Sequence, residues 1–584
     1  MPGTPVRFLP TTQDEMRALG WAQLDVLLIT GDPYFDHPSH GAALIGRVLE
    51  QAGYRAGILP HPDWSSPADF TRMGRPALFV GITAGAVDSM LNNYTAQRHR
   101  RKGDAYATGA DAEQRPNFAT LVYAQRAREA FPGLPIVLGG IEASTRRFTY
   151  FDYIKGQLRR SLLVDTRADL LVFGAGETQV LEIAQRLSQG RDLRGIPGTA
   201  RLLKRGETPH GVALPDHDAI CQTPALLVTQ TQQIETHSSP GRPTAFFQRY
   251  AEGAVQCEPR AEISDAQWEA LTPPYFSRDA HPAYPKDPAA LETVRWSVIA
   301  TRGCPGGCSF CAIAMHQGRR VNSRSEEAIA AEVQQLSAHP RFRGTVTDVG
   351  GPTANAWGTA INDLARCQTC ARASCYFPRI CSNLRTPQHD FVQMLGRLKQ
   401  LPRIRHLFIA SGIRHDLALQ SPPFIDALAQ HHTGGHLKVA PEHVHPEVLR
   451  RMRKPSIAAF EDFAAAFLRA SKAAHRQQYI VPYFIAGFPG CTPAMGNSAA
   501  HWLAQRGQRL QQMQIFIPLP GTMAAAMYAA KMDADGAPLY IPPDAERRRQ
   551  KKILTGATAP QRRTQQPRRT ARRRVPNSTR SKAK

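Results

Sequence analysis

Three cysteines, Cys304, Cys308 and Cys311, have a spacing that could bind a metal cluster. They follow a β-prone run at residues 296–301, and the glycines around them allow a tight loop. Because a [4Fe–4S] cluster takes four thiolates, three cysteines would leave one iron open to another ligand. Catalytic metal sites keep such an open position, whereas structural sites are closed. The spacing therefore favours an open cluster site; a structural zinc loop and three unconnected thiols are the alternatives.

A second group of four cysteines has the spacing Cys-x2-Cys-x4-Cys-x5-Cys and comprises Cys367, Cys370, Cys375 and Cys381. Four thiolates in one short segment can close a site for zinc or for an auxiliary iron–sulfur cluster, and free thiols are the alternative. Most of the ten cysteines thus fall in two clusters. Such clustering indicates metal binding in a reducing cytoplasm, because a secreted disulfide framework would be spread along the chain.

The elements that must position these cysteines begin with an N-terminal α/β pattern. Over residues 1–200, apolar segments alternate with helical periodicity, which predicts a doubly wound α/β domain. Residues 201–290 lack clear periodicity, so we expect a connector there. The loops after the predicted strands match neither GxGxxG nor GxxxxGK(S/T), so a nicotinamide or triphosphate site is not supported. The strands are expected at residues 24–30, 54–59, 77–83, 135–141 and 169–177.

Residues 291–530 carry a second pattern, in which apolar strands are separated by helical segments. The strands are expected at residues 296–301, 344–351, 406–412, 436–442, 478–488 and 513–518. This pattern predicts a partial (βα)6 barrel of the TIM type, whose sites lie at the C-terminal ends of the strands. The three-cysteine loop follows the first strand and the four-cysteine segment follows the second. Both groups are therefore expected at the catalytic end of the barrel.

The formal charge of +24 is concentrated at the end of the chain. Residues 546–584 contain fifteen Lys and Arg residues against one acidic residue. With few apolar side chains, residues 531–584 are expected to form a disordered basic tail, which could contact RNA weakly. No apolar run reaches the ~18 residues of a membrane span, and the N-terminus lacks the apolar core of a signal peptide. We therefore expect a cytoplasmic protein that does not bind a membrane.

Several strings in the chain resemble the YgiQ-like family of radical SAM proteins. They lie between Trp21 and Tyr528 and include Gly139-Gly-Ile-Glu-Ala-Ser, Asp348-Val-Gly-Gly-Pro-Thr-Ala-Asn and Leu437-Lys-Val-Ala-Pro-Glu-His. The resemblance implies that the three cysteines of the first group hold a [4Fe–4S] cluster whose fourth iron binds S-adenosylmethionine (SAM). One electron, from a donor such as flavodoxin or ferredoxin, would then cleave SAM to methionine and a deoxyadenosyl radical. The radical would act on a substrate that the sequence does not identify; an RNA-binding metalloprotein without radical chemistry is the alternative function.

The resemblance also suggests residues that contact SAM. Gly350 and Gly351, after the second barrel strand, look like the glycine motif that admits the methionine amino group. Lys438 and Glu442, at the end of the fourth barrel strand, could meet the SAM carboxylate and ribose, and Gly487, at the end of the fifth, could bracket the adenine. Each of these residues could instead belong to a strand-end turn or a surface ion pair.

The N-terminal fold and its position resemble the cobalamin-binding domains that precede many radical SAM cores. The Asp-x-His-x-x-Gly pattern of a cobalt ligand is missing, because residues 36–41 have a different spacing. Cobalamin is therefore not expected. Candidate substrate-pocket residues are His316, His443, Tyr479 and Tyr483, with a role in the core as the alternative.

Overall fold

The computed structural model describes residues 7–104, 106, 115–508, 510 and 513–556. The strands of its N-terminal half are β1 (Val26–Thr30), β2 (Ala56–Pro60), β3 (Phe79–Thr83), β4 (Ile136–Leu138), β5 (Tyr150–Asp152), β6 (Gln157–Arg159), β7 (Leu170–Val172), β8 (Thr199–Leu202), β9 (Val212–Ala213), β10 (Phe246–Tyr250) and β11 (Gly253–Cys257). The helices of this half are α1 (Gln13–Ala18), α2 (Gly41–Gln51), α3 (Ser89–Asn93), α4 (Ala119–Ala130), α5 (Gly140–Thr145), α6 (Leu162–Thr166), α7 (Glu177–Ser188), α8 (His217–Gln222), α9 (Leu226–His237) and α10 (Asp265–Leu271).

A single mixed sheet organises the N-terminal half, with the strand order β2-β1-β3-β4-β7-β8-β11-β10-β9. Its first five strands are parallel. Leu27 and Ile29 of β1 belong to the core that includes α4, whereas Val26 and Leu28 belong to the core that includes α2 and α7. Burial on both faces explains why such strands are apolar throughout. The predicted doubly wound fold class is confirmed.

The sheet continues past residue 200, where we expected a connector. β8 pairs antiparallel with both β7 and β11, and β10 forms a hairpin with β11. The boundary at residue 200 and the connector over residues 201–290 are therefore corrected, since this segment completes the sheet. In β10, Gln248 is buried through hydrogen bonds to Thr149 and Gln230. This buried polar residue weakens the apolar pattern of the strand.

The C-terminal half contains the elements that carry both cysteine groups. Its strands are β12 (Ser297–Ile299), β13 (Thr301–Arg302), β14 (Asn322–Ser323), β15 (Thr345–Val346), β16 (Asp348–Gly350), β17 (Ala360–Ile361), β18 (Leu384–Arg385), β19 (His406–Leu407), β20 (His436–Glu442), β21 (Tyr479–Ala486) and β22 (Met513–Ile515). Its helices are α11 (Ala289–Val294), α12 (Ile313–Gln317), α13 (Glu326–Ala338), α14 (Ala365–Gln368), α15 (Gln388–Lys399), α16 (His415–Ala418), α17 (Pro422–Ala427), α18 (Pro446–Met452), α19 (Ile457–Ala473), α20 (Pro493–Gln505), α21 (Met523–Ala530) and α22 (Asp544–Leu554). Among the helices of the described residues, none has both the length and the apolar character that a bilayer span requires.

The six expected barrel strands all appear, with the second divided into β15 and β16. Parallel pairs join β12 to β16, β15 to β19, and β20 through β21 to β22. Val298, Val349 and Leu437 pack outward into a core that contains apolar residues of α13, α15 and α19. The partial barrel is therefore confirmed, and the three-cysteine loop follows its first strand as predicted.

Part of the segment expected to be a disordered tail is folded. Helix α22 packs against α20, β21 and β22, and its Arg547 is fully buried. The Arg547 guanidinium donates hydrogen bonds to the Tyr153 hydroxyl, at 2.6 Å, and to the Phe516 carbonyl. The expectation for residues 531–584 is thus corrected up to residue 556, while residues 557–584 lie outside the described residues.

Replacing Arg547 with alanine should destabilise the protein, because it leaves the buried Phe516 carbonyl and the Tyr153 hydroxyl without their donor. We expect the thermal unfolding midpoint to fall by about 4–8 °C. The neighbouring Arg548 is exposed, so Arg548→Ala is the matched control and should leave the midpoint within about 1 °C of the native value. Equal midpoints for the two variants would contradict the docking of α22.

Candidate active site

The three-cysteine loop is closed at its base by backbone contacts. β13 and β14 flank the loop and pair antiparallel, and the Cys304 amide donates a hydrogen bond to the Gly318 carbonyl at 3.0 Å. Gly303 has a φ of +85°, and a Cβ there would overlap the Arg320 carbonyl oxygen. The loop therefore needs glycine at this position.

The three cysteines of this loop are half-buried. Burial, together with the charge of Cys308, raises the pKa of the Cys304 thiol, and the same causes raise the pKa of Cys311 to about 12. A Cβ on Gly306 would lie 3.2 Å from the Cys304 sulfur and 3.3 Å from an Arg414 nitrogen, so a larger residue here would crowd this sulfur. Three half-buried thiols with an adjacent arginine suit a cluster with three thiolate ligands.

The spacing of these thiols is not that of a site for one metal ion. Among the described residues, no group of three or more His, Cys, Asp or Glu side chains is arranged to hold a single ion. A cubane cluster places its own iron and sulfide atoms between its cysteine ligands, so the donor set and the room at Gly306 fit a cluster.

Glu442, at the end of β20, is the most unusual residue beside this loop. Its side chain is buried, its φ is +72°, and the pairing of β20 with β21 shifts register between Val439 and Glu442. One carboxylate oxygen lies 3.8 Å from Lys454, and the other has no hydrogen-bond partner among the described residues. The charge of Glu442 helps to raise the pKa of Cys311. Such a strained residue with an unsatisfied acceptor is typical of a ligand site.

The glycines expected to contact SAM have different surroundings in the structure. A Cβ on Gly350 would overlap the Ser411 hydroxyl, and one on Gly351 would overlap the Thr301 carbonyl, so both glycines allow close packing beside β12. Gly487, with a φ of +69°, packs against Arg547 and donates its amide to Gln550. Gly487 is thus explained by the docking of α22.

Lys438 does not lie beside Glu442, which corrects our expectation that both residues stand at the end of β20. Lys438 is exposed and precedes Glu442 by four residues, which is about 13 Å along an extended strand.

A cavity of about 470 Å³ lies between the N-terminal sheet and the barrel. The N-terminal half contributes the carboxyl ends of β1, β3, β4 and β7, where doubly wound sheets bind ligands. Residues from both halves that line it include Thr83, Gly139, Gly174, Arg302, His316 and Pro352. The barrel residues flank the three-cysteine loop in sequence or follow β16, so the cavity lies next to the expected cluster.

The polar groups of this cavity are fixed by contacts between the two halves. Glu177 forms an ion pair with Arg302, which sequence reasoning missed because neither residue belongs to a recognisable motif. The His316 ring nitrogen Nδ1 lies 2.9 Å from the Ser144 hydroxyl. Burial, together with the charges of Arg260 and Arg302, lowers the pKa of His316 to about 4. His316 is therefore neutral near pH 7.

The remaining pocket candidates do not line this cavity. His443 is buried, with its Nε2 3.5 Å from the Cys491 sulfur. Tyr479 is half exposed on β21, and the Tyr483 hydroxyl donates to Gln514 at 3.0 Å. Of the four candidates, only His316 is among the residues that line the cavity.

Comparison with known proteins gives the class of this protein. The family model described as Radical SAM N-terminal matches residues 8–297, and that of the Radical SAM superfamily matches residues 298–503. The chain therefore belongs to the radical SAM superfamily. It is an enzyme that uses a [4Fe–4S] cluster and SAM, as the resemblance implied.

The curated relatives define the family more closely. A UPF0313 protein of Thermotoga neapolitana is 41% identical over 536 residues, covering 90% of this chain and 94% of the relative. A UPF0313 protein of Geobacter sulfurreducens is 40% identical over 555 residues, covering 94% and 92%. The chain belongs to the UPF0313 family, which is the YgiQ-like family, and the resemblance is confirmed.

A solved structure supports the two-part fold. The radical SAM methyltransferase TsrM of Kitasatospora setae, determined with tryptophan and a SAM analogue, matches with a TM-score of 0.51 and 16% identity. The match covers 86% of this chain and 76% of TsrM. A second TsrM structure contains cobalamin and a [4Fe–4S] cluster. At this identity the likeness shows a shared fold only, so the absence of cobalamin here stays a prediction.

Proposed function

We propose that Cys304, Cys308 and Cys311 hold the [4Fe–4S] cluster and that Glu442 binds SAM beside it. The observation that carries this proposal is the buried, unpartnered carboxylate oxygen of Glu442 in a strained turn next to Cys311. A carboxylate there can accept hydrogen bonds from the ribose hydroxyls or the amino group of SAM. When bound, the cluster and SAM supply a one-electron cleavage that gives methionine and a deoxyadenosyl radical.

The protein's own part is to hold the reactants and to keep water away. Phe310, between two of the cysteines, packs edge-to-face against Phe488 at 6.4 Å between ring centroids and shields the loop on one side. Arg453 fixes another side, because its guanidinium donates to the Gly307 carbonyl at 3.2 Å and pairs with Glu235 at 2.8 Å. Exclusion of water favours the abstraction of hydrogen from substrate over side reactions.

The cavity between the two halves is the proposed substrate site. Its volume of about 470 Å³ is within the range of sites for small molecules. The Glu177–Arg302 ion pair and the neutral His316 offer polar contacts in a lining that is otherwise mostly apolar. We therefore propose a substrate of small-molecule size, or a small part of a larger one, with an external one-electron donor such as flavodoxin or ferredoxin. No observation on the described residues favours the RNA-binding alternative.

The Cys308→Ala variant should lose SAM cleavage, because two thiolates cannot hold the cluster with one open iron. After anaerobic reconstitution and reduction with dithionite, we expect deoxyadenosine formation at least ~100-fold below that of the native protein, as removal of a group essential for chemistry gives losses of this order. Cys221→Ala removes an exposed cysteine outside both groups and is the matched control. Deoxyadenosine formation by Cys308→Ala at the native rate would overturn the cluster assignment.

The Glu442→Gln variant tests the proposed SAM contact, because it keeps the shape of the side chain and removes its charge. We expect an approximately tenfold weaker Kd for SAM, equal to the loss of about 1.4 kcal/mol. Iron content should be unchanged, and the exposed Glu447 provides the control variant Glu447→Gln. If Glu442→Gln binds both iron and SAM as the native protein does, Glu442 does not contact SAM.

A further inference from the structure

We propose that Cys367, Cys370, Cys375 and Cys381 hold a second [4Fe–4S] cluster, distinct from the one that binds SAM. Four thiolates complete the coordination of a cubane, so this cluster would have no open iron. The proposal concerns different cysteines from those of the proposed function, and each group can be tested while the other is removed.

The loop that carries the four cysteines is held closed at its neck. β17 and β18 pair antiparallel on either side of it. Just inside this pair, the Asn383 side chain accepts a hydrogen bond from the Asp363 amide at 3.0 Å and donates one to the Asp363 carbonyl at 2.8 Å. Asn383 also lies 3.4 Å from the Cys367 sulfur as a hydrogen-bond donor. The neck thus brings the beginning and the end of the loop together.

Further contacts gather the cysteines within this loop. The Cys381 amide donates to the Cys375 carbonyl at 2.7 Å, and the Cys370 amide donates to the Cys367 carbonyl at 3.2 Å. All four cysteines line one cavity.

The four cysteines are among the residues that line a cavity of about 210 Å³. A zinc ion would draw four sulfurs to about 2.3 Å from its centre, whereas a cubane cluster places its own iron and sulfide atoms between its ligands. Among the described residues, no group of three or more His, Cys, Asp or Glu side chains is arranged to hold a single ion, so the four thiols suit a cubane better than zinc.

A buried arginine is aimed into the same cavity. Arg319 is 8% exposed and lines the cavity, and its Nη2 donates to the Cys375 sulfur at 3.4 Å. Its Nε and Nη1 have no hydrogen-bond partner among the described residues. A buried cation without an anionic partner is costly, whereas a cluster with four thiolates is anionic and has sulfur atoms that accept hydrogen bonds. Arg319 thus provides both charge and donors for the proposed cluster.

The two cysteine groups contact each other through their backbones. The Cys375 amide donates to the Pro305 carbonyl at 2.8 Å, and the Ser374 hydroxyl donates to the Gly306 carbonyl at 2.5 Å. The Cα atoms of Cys304 and Cys375 are therefore on the order of 10 Å apart or closer, from standard backbone dimensions. Because the two loops are in direct contact, clusters bound by them are expected to show magnetic coupling when both are reduced.

The test is a metal and sulfide count on the anaerobically reconstituted full chain. We expect about eight iron and eight sulfide atoms per chain and no zinc, because each cubane contains four of each. The Cys304→Ala/Cys308→Ala/Cys311→Ala variant (the three-alanine variant) should retain about four iron atoms. The Cys367→Ser/Cys370→Ser/Cys375→Ser/Cys381→Ser variant (the serine variant) should also retain about four. The EPR spectrum of the reduced native protein should show spin coupling that both variants lack.

Two outcomes would overturn the proposal: loss of all iron from the three-alanine variant, or a serine variant that keeps all the iron of the native protein. If the serine variant fails to fold, the iron content of the three-alanine variant still decides. If instead the first three cysteines hold no cluster, the proposed function fails, and the three-alanine variant should keep the iron content of the native protein.

Discussion

A [4Fe–4S] cluster with three protein ligands requires three cysteine thiols to lie close together without a fourth. This constraint explains the surroundings of Cys304 and Cys311. Burial raises the pKa of both thiols, so their thiolate forms are costly unless the iron atoms of a cluster bind them. The pairing of β13 with β14 and the positive φ of Gly303 fix the backbone of the loop that carries these thiols. Glu442, which has a positive φ and an unsatisfied carboxylate oxygen, lies beside this loop.

The two halves of the protein together enclose this site. The barrel provides the cysteine loop, and the N-terminal sheet provides the carboxyl ends of its parallel strands across a shared cavity. Contacts such as Glu177 with Arg302 and Ser144 with His316 join the halves at the cavity itself. The substrate site therefore belongs to neither half alone, and this is why no single segment of sequence identifies the substrate.

Sequence reasoning recovered the features that depend on local pattern. The cysteine spacing, the apolar parallel strands and the six barrel strands each follow from residues close together in the chain. The strands β9 to β11 were missed, and in β10 the buried Gln248 interrupts the apolar pattern because it is held by hydrogen bonds to residues outside its own strand. The burial of Arg547 was also missed, since it depends on Tyr153, which is 394 positions away. Lys438 was expected at the end of β20 but lies near its beginning. A motif gives the order of residues along a strand but not where the strand begins and ends.

The central claim is that one iron of the first cluster is open and that SAM binds to it. The most direct test uses the variant with serine at the four cysteines of the second group, so that the first cluster alone contributes to the EPR spectrum. After reduction with dithionite, addition of SAM should shift the g values of the [4Fe–4S] signal. An unchanged spectrum at SAM concentrations that saturate binding would contradict the account.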